Sequence, residues 1–379
     1  MSTETQRPRD SVRKSLGLMS GTSMDGIDIA VLDTDGEDFS ASGPYESRPY
    51  PPQLRAQLLA MPSESISATA IERELTDLHA ERILDFCATH QLSLYSIDCV
   101  GFHGQTIKHE PHLRRSWQLG DGARLAQLLG RQVINDFRRS DLMHGGQGAP
   151  LAPAYHRALV RASKLQEPVA VLNIGGISNV TLVAGSELIA CDCGPGNAMI
   201  DDWVRSKAGL PYDDGGRLAA AGRVNVSILN ALLSNPYFST PGPKSLDRNE
   251  FSLAPLAALS LEDGAATLTA LTVSGIAREC ERLPIKPNYW IVVGGGRLNT
   301  ALLEMLRADL RTNVRIAEDC GWAGDAIEAQ AFAYLAVRAL KGLPTSWPTT
   351  TGTSVPVTGG VLHHAPPSNR LASVPIQPS

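Results

Sequence analysis

Residues 16–33 read LGLMSGTSMDGIDIAVLD: a short apolar run, a turn rich in Gly, Ser and Thr, then a second run whose apolar residues alternate, closed by Asp35-Gly36. Alternation with period two marks a strand, and Gly, Ser and Asp between two such runs mark the turn of a hairpin. The same grammar returns at 167–188, EPVAVLNIGGISNVTLVAGSEL, as strand, Gly175-Gly176, alternating strand and a tight turn at Ala184-Gly185. Two such hairpins predict two lobes with a duplicated core. A third glycine turn has a different order. Tyr289 to Val293 runs into Gly294-Gly295-Gly296, after which Leu298, Leu302, Met305 and Leu306 share one helical face. Helical periodicity near 70–90, 121–130, 150–163, 197–208, 263–282 and 323–341 alternates with these strands, so the fold class is α/β.

With 379 residues, at about 150 per domain, the chain is long enough for two domains with full cores. At 43% apolar and 19% charged residues, with no long unbroken apolar run, neither disorder nor a membrane span fits. The 34 basic and 39 acidic residues leave a formal charge of −5. Such a field gives no reason to expect nucleic acid or an anionic membrane as partner. Residues 1–14 are polar and lack the apolar core of a secretory signal, so they are expected to form a tail, as is 363–379. The expected division is an N-terminal lobe over 15–140 and a C-terminal lobe over 141–362, with the last segment free to return to the first lobe. Six scattered cysteines do not make a disulfide scaffold, which suits a reducing cytosol. Cys191 and Cys193 are spaced C-x-C, which supports neither a redox pair nor a zinc knuckle.

Several short stretches carry chemistry. The turn Gly21-Thr22-Ser23-Met24-Asp25-Gly26 offers unobstructed backbone N–H groups and two hydroxyls, as a phosphate cradle needs, and an ordinary hairpin turn reads the same way. It is not a Walker A loop, since no Lys follows and a strand comes next. Gly175 and Gly176 could face it across a cleft. Asp192 stands where an apolar strand breaks into Gly194-Pro195-Gly196 before a helix, a place for a general base, for a group ordering Mg²⁺, or for a turn cap. His103, Gln105 and Thr106 close an apolar run and could hold sugar hydroxyls. Nearby His109 and His112 lack the helical spacing of a zinc site. Arg138 and Arg139 beside Gly145-Gly146-Gln147-Gly148 could form an anion site or a surface ion-pair cluster. The Gly294–296 turn lacks the third glycine of a dinucleotide fingerprint despite Glu318 further on, and suits a nucleoside lying on glycine backbone. Glu328 opens an apolar helical stretch and is otherwise an exposed helical Glu.

Taken together, GLMSGTSMDGID (17–28), FHGQTIKHEP (102–111), DFRRSD (136–141), GGQGAPLAPAYH (145–156), LNIGGISNV (172–180), DCGPGN (192–197), GGGRLN (294–299) and EAQAFAYLA (328–336) resemble the anhydro-N-acetylmuramic acid kinase family. That family lies within the actin, Hsp70 and sugar kinase superfamily. The resemblance implies a two-lobed actin-like ATPase fold, ribonuclease H-like in each half, with a deep interlobe cleft. It also implies a cytoplasmic homodimer in peptidoglycan recycling that uses ATP with Mg²⁺ to convert 1,6-anhydro-N-acetylmuramic acid to N-acetylmuramic acid 6-phosphate. It places ATP on Gly21, Thr22, Ser23, Met24, Asp25, Gly26, Ile27 and Asp28, and the catalytic carboxylate on Asp192. Gly175, Gly176, Gly294, Gly295, Gly296 and Asn299 are then expected around the nucleotide. His103, Gln105, Thr106, Arg138, Arg139 and Glu328 are expected around the sugar, with Arg138 or Arg139 on its lactyl carboxylate. Two stretches depart from the family pattern: Lys244-Ser245-Leu246-Asp247-Arg248 replaces a common K-S-T-G-R-E, and Cys191 replaces an aromatic residue. The alternatives are an ATP-driven binding protein on the same fold, a kinase for another sugar, and an ATP-independent sugar hydrolase.

Overall fold

The computed structural model describes residues 12–21, 24–38, 40–61, 68–247 and 250–365. Both predicted hairpins form. Strands β1 (Arg13–Ser20) and β2 (Gly26–Thr34) pair antiparallel, and β3 (Ser40–Pro49) continues the meander. The long β4 (Cys99–Glu110) lies parallel to β1, with β5 (Arg115–Leu119) folded back on it and β6 (Gln132–Asn135) parallel on its other edge. In the second lobe β7 (Val169–Ile174), β8 (Ile177–Ala184) and β9 (Glu187–Pro195) repeat the meander, and β10 (Tyr289–Val293) and β11 (Val314–Ile316) add parallel strands on the β7 side. The matched orders β6-β4-β1-β2-β3 and β11-β10-β7-β8-β9 are the duplication that the hairpins predict.

Two helices lie between the sheets. Pro153–Ala162 and Ile327–Leu340 share one apolar cluster with Leu32, Cys99 and Ile134 of the first sheet and Val169, Val171 and Val293 of the second. The stretch EAQAFAYLA is small and apolar almost all round, as a helix covered on every side must be, and residues 329–338 are buried throughout. Its close approach to the first sheet depends on missing side chains: a Cβ on Gly17 would sit 1.8 Å from the Ala329 carbonyl oxygen, and one on Gly101 2.1 Å from that of Phe332. The outer face of the first sheet is covered by the helix Ala68–Thr89, whose Leu75, Ile83 and Phe86 meet Leu16, Leu18 and Ile29. The helix Leu261–Arg282 does the same for the second sheet.

The last segment returns to the first lobe. The helix Ile327–Leu340 packs on β1, β2 and β4, and β12 (Val361–His363) pairs antiparallel with β6. The tails expected at 1–14 and 363–379 lie outside the described residues except for 12–14 and 363–365, which join or adjoin strands. The helix expected to begin around Leu298 starts instead at Thr300, because Asn299 caps it by accepting the Leu302 N–H at 3.0 Å. Leu298 is left exposed in the turn before it. All six cysteines are free. No described helix is long and apolar enough to cross a membrane.

Candidate active site

A cleft of about 880 Å³ opens between the sheets, walled by both hairpin turns and floored by Glu328, Ala331 and Phe332 of the central helix. On the first wall stand Gly21, Asp25, Gly26 and Asp28; Thr22 and Ser23 lie outside the described residues. Met24 takes a left-handed conformation (φ 53°) and donates its N–H to the Gly21 carbonyl at 3.1 Å, which tightens the turn. Buried Ile27 points into the first-lobe core, away from the cleft.

Gln105 is in the wall rather than on it. Its Nε2 donates to the Gly21 carbonyl at 2.9 Å and its Oε1 accepts the Tyr50 hydroxyl at 3.2 Å, so it braces the first turn from behind. The cause is a slip in the ladder: Leu18 pairs with Phe102 but Ser20 with Gln105, around Gly104 at φ 74°. Such a bulge reverses the alternation. It turns Gln105 to the outer face, and Thr106 takes the cleft side.

On the second wall, Gly175 and Gly176 are fixed from behind as well. The N–H groups of Gly196 and Ala198 donate to the Gly176 carbonyl, and that of Asn197 to the Gly175 carbonyl at 2.7 Å. These bonds engage the N-terminal amides of the helix Asn197–Ala208. The Gly294–296 turn does not line the cleft but presses on the end of β7 beside them: a Cβ on Gly294 would lie 2.4 Å from Asn173 Oδ1, and one on Gly296 2.5 Å from Ile174. Exposed Gly295 stands at the surface. Asn299 is occupied as a helix cap, and Glu318 pairs with buried Arg297 at 2.8 Å, as does Asp325.

Asp192 reaches the cleft from β9, 5% exposed. Its Oδ2 accepts the Leu246 N–H at 2.9 Å, its own N–H donates to the Lys244 carbonyl, and its carbonyl accepts the Tyr237 hydroxyl. Burial pushes its carboxyl up to about 7, against the opposing pull of the Leu246 amide, Arg138 and Lys244. A carboxylate so placed titrates near neutrality, as a general base should. Within the divergent segment, whose Arg248 lies outside the described residues, Lys244 and Leu246 therefore support this group through their backbone. Lys244 is buried against Glu279 at 2.5 Å, with two carbonyls completing its shell.

Arg138 and Arg139, adjacent in sequence, part company. Arg138 lines the cleft, donating Nη1 to the Gly148 carbonyl at 2.7 Å and Nη2 to His103 Nε2 at 2.9 Å. Arg139 is 75% exposed, pairs with Asp136, and faces a separate cavity of about 430 Å³. His103 is an acceptor toward Arg138, stacks on Phe332, and burial together with Arg138 holds it well below the usual imidazole range. It positions the guanidinium rather than lining the cleft. Glu328 lies inside, accepting from Asn173 Nδ2 at 3.1 Å, with its carboxyl raised by burial. Asp28 is pushed up to about 7 by burial and by Glu328 and Asp25, although Ser47 donates to it at 2.5 Å. Among the described residues no group of three or more His, Cys, Asp or Glu is placed to hold a metal ion. Sequence reading missed Ser47, Asn173, Asn179 and the Leu246 amide. Only the asparagines left a signal, as polar residues interrupting apolar strands.

The sequence profile of the anhydro-N-acetylmuramic acid kinase family matches residues 13–365. The chain is 48% identical over 370 residues to a protein of that name from Methylobacterium nodulans, covering 92% of this chain and 99% of that one. It is also 48% identical to the protein of that name from Rhodopseudomonas palustris, covering 91% and 98%. Among solved structures it is similar to component A of (R)-2-hydroxyglutaryl-CoA dehydratase from Acidaminococcus fermentans, at 13% identity and TM-score 0.47 over 86% of this chain and 99% of that one. A ROK family glucokinase from Streptomyces griseus in complex with glucose and AMPPNP gives 14% identity and TM-score 0.40 over 84% and 99%. A match this long at nearly half identity places the chain in the anhydro-N-acetylmuramic acid kinase family.

Proposed function

We propose that this protein uses ATP and water to open 1,6-anhydro-N-acetylmuramic acid and phosphorylate its O6. The observation that carries the mechanism is the buried Asp192 carboxyl, raised to about 7, in a cleft that two hairpin turns share. The substrate has no free 6-hydroxyl, so an ordinary sugar-kinase base finds no proton there. Water instead attacks C1, Asp192 takes a proton from it, the C1–O6 bond breaks toward O6, and O6 accepts the γ-phosphoryl group as ADP leaves. The backbone N–H groups of the first turn face the phosphates, a preorganised electrostatic contribution. Arg138, the one of the two arginines inside the cleft, pairs with the lactyl carboxylate.

A divalent cation fits the donor set. Two carboxyls, Asp28 and Glu328, are raised by burial and the first also by the second, a repulsion that Mg²⁺ relieves. Mg²⁺ is typically held by one or two carboxylates plus phosphate oxygens. Asp28 and Glu328 would hold it, and it would neutralise charge on the transferring phosphate. Family membership supports the remaining parts of the reading: a cytoplasmic homodimer acting in peptidoglycan recycling.

The test is a reaction in ¹⁸O-labelled water, stopped early beside a control for spontaneous exchange at C1. Label appears on C1 and none on phosphate, because O6 keeps its bond to C6. Labelled phosphate without labelled sugar would mark an ATPase, and phosphorylation without label a plain sugar kinase. For the first turn, Gly21→Val is expected to raise the KM for ATP more than that for sugar, since the side chain obstructs the backbone approach to phosphate. Steady-state titration of each substrate checks this, and an effect confined to the sugar would remove ATP from that turn.

A further inference from the structure

Three adjacent strands of the second sheet carry one polar residue each in a single row. Asn173 on β7 stands opposite Asn179 on β8, and Asn179 opposite Asp192 on β9. The row below is Val171, Thr181 and Ala190, where Val171 already belongs to the apolar core, and the next row, Val169, Val183 and Leu188, lies wholly within it. Directly opposed residues share a face of the sheet, with Cβ atoms about 4.5–5.5 Å apart. All three polar residues line the cleft. The β8–β9 ladder slips here, Ser178 pairing with Gly194 but Asn179 with Asp192, so that Cys193 is the extra residue of a bulge. Bulges beside active sites commonly re-aim side chains.

Hydrogen bonding within the row is uneven. Asn173 donates its Nδ2 to Glu328 while its own amide oxygen is buried without a partner, and Asp192 Oδ2 accepts the Leu246 amide; of the two asparagines only Asn179 stands directly opposite Asp192. The amide oxygen of Asn179 is buried and has no hydrogen-bond partner. The first sheet offers a comparison at the same level, where Met19, Asp28 and Ser47 form the row. There the second and third residues bond directly, hydroxyl to carboxylate, at 2.5 Å. In the second sheet Asn179 and Asp192 are opposed but no hydrogen bond joins their side chains, the Asn179 amide oxygen is an acceptor like the carboxylate, and buried acceptors are rarely left unmet. A small molecule with two O–H protons would satisfy both acceptors.

We infer that Asn179 is a catalytic residue whose side-chain amide oxygen, with the Asp192 carboxylate, holds the attacking water by one proton each. The inference rests on the ring-opening reaction proposed above. With both protons engaged, the water directs a lone pair away from the sheet toward C1. As the new O–C1 bond forms and C1–O6 breaks toward O6, the proton on the Asp192 side passes to the carboxylate. The proton on the Asn179 side stays on oxygen as that of the new C1 hydroxyl.

The test compares wild type with Asn179→Ala. The expected result is a kcat lowered about 10²-fold, the typical cost of a misplaced reactant, with the KM for ATP and sugar unchanged. A second readout is specific to the nucleophile. In aqueous methanol the variant makes a larger share of the methyl glycoside 6-phosphate than wild type does, because methanol needs only the Asp192 acceptor and its methyl group takes the space of the missing amide. A purely structural role would not move that partition. An unchanged kcat, a rise in sugar KM at unchanged kcat, or an unchanged partition would each overturn the inference. If thermal melting shows that Asn179→Ala does not fold, Asn179→Ser is read by the same two measurements. A wild type that releases no ADP with the anhydro sugar would overturn the proposed reaction itself; an active wild type with unaffected variants overturns only the role of Asn179.

Discussion

Asp192→Asn is expected to leave the fold and ATP binding intact and to lower kcat by at least the factor of about 10² to 10⁴ that a general base contributes. The substitution is nearly isosteric, and an amide oxygen can still accept the Leu246 N–H that the carboxylate accepts now. What it removes is the capacity to take a proton. The same assignment fixes a pH dependence. Burial raises this carboxyl to about 7, and only its ionised form accepts a proton, so wild-type kcat should fall tenfold per pH unit below about 7 and level off above it. The residual rate of the variant should lack that limb. Steady-state kinetics across pH, with calorimetry for ATP binding, checks both, and a variant that keeps most of the wild-type rate would take Asp192 out of the mechanism.

The largest expected effect on stability is at Gly17. Its φ is unremarkable, so the constraint is one of space: an added Cβ would lie 1.8 Å from the Ala329 carbonyl oxygen and 2.6 Å from the Ala333 nitrogen, both helix backbone that cannot rotate away. Gly17→Val must therefore push the helix Ile327–Leu340 off β1. Overpacking typically costs about 1–3 kcal/mol, and this helix contacts the cores of both sheets. We expect a loss above about 3 kcal/mol, read as a Tm lowered by roughly 4 °C or more. Activity should fall further than stability alone explains, because Glu328 adjoins Ala329 in the displaced turn. An unchanged Tm would mean that the helix does not pack as described.

The hairpins, the α/β class and the place of Asp192 were legible because each depends on local pattern: alternation, turn residues, a polar break in an apolar strand. The failures have equally local causes. Leu298 continues the helical period backwards, but Asn299, a strong capping residue, ends the helix before reaching it. Gln105 and Thr106 were grouped as neighbours, whereas a strand sends neighbours to opposite faces and the bulge at Gly104 decides which face each receives. Arg138 and Arg139 separate where β6 ends and the short helix Arg139–Met143 begins. The support that Leu246 gives Asp192 comes from a backbone amide, which no side-chain pattern encodes.

The helix between the sheets also sets a timetable for biosynthesis. A ribosome delivers β1 through β6 by residue 135, yet the helix that covers their inner face begins only at residue 327 and the edge strand β12 at 361. The first lobe emerges first and closes last. Its inner apolar face must stay exposed while the whole second sheet is made, the interval in which nascent chains aggregate or engage chaperones. A chain released after β11 at residue 316 but before this helix would therefore contain two sheets and lack the longer of the two helices that join them.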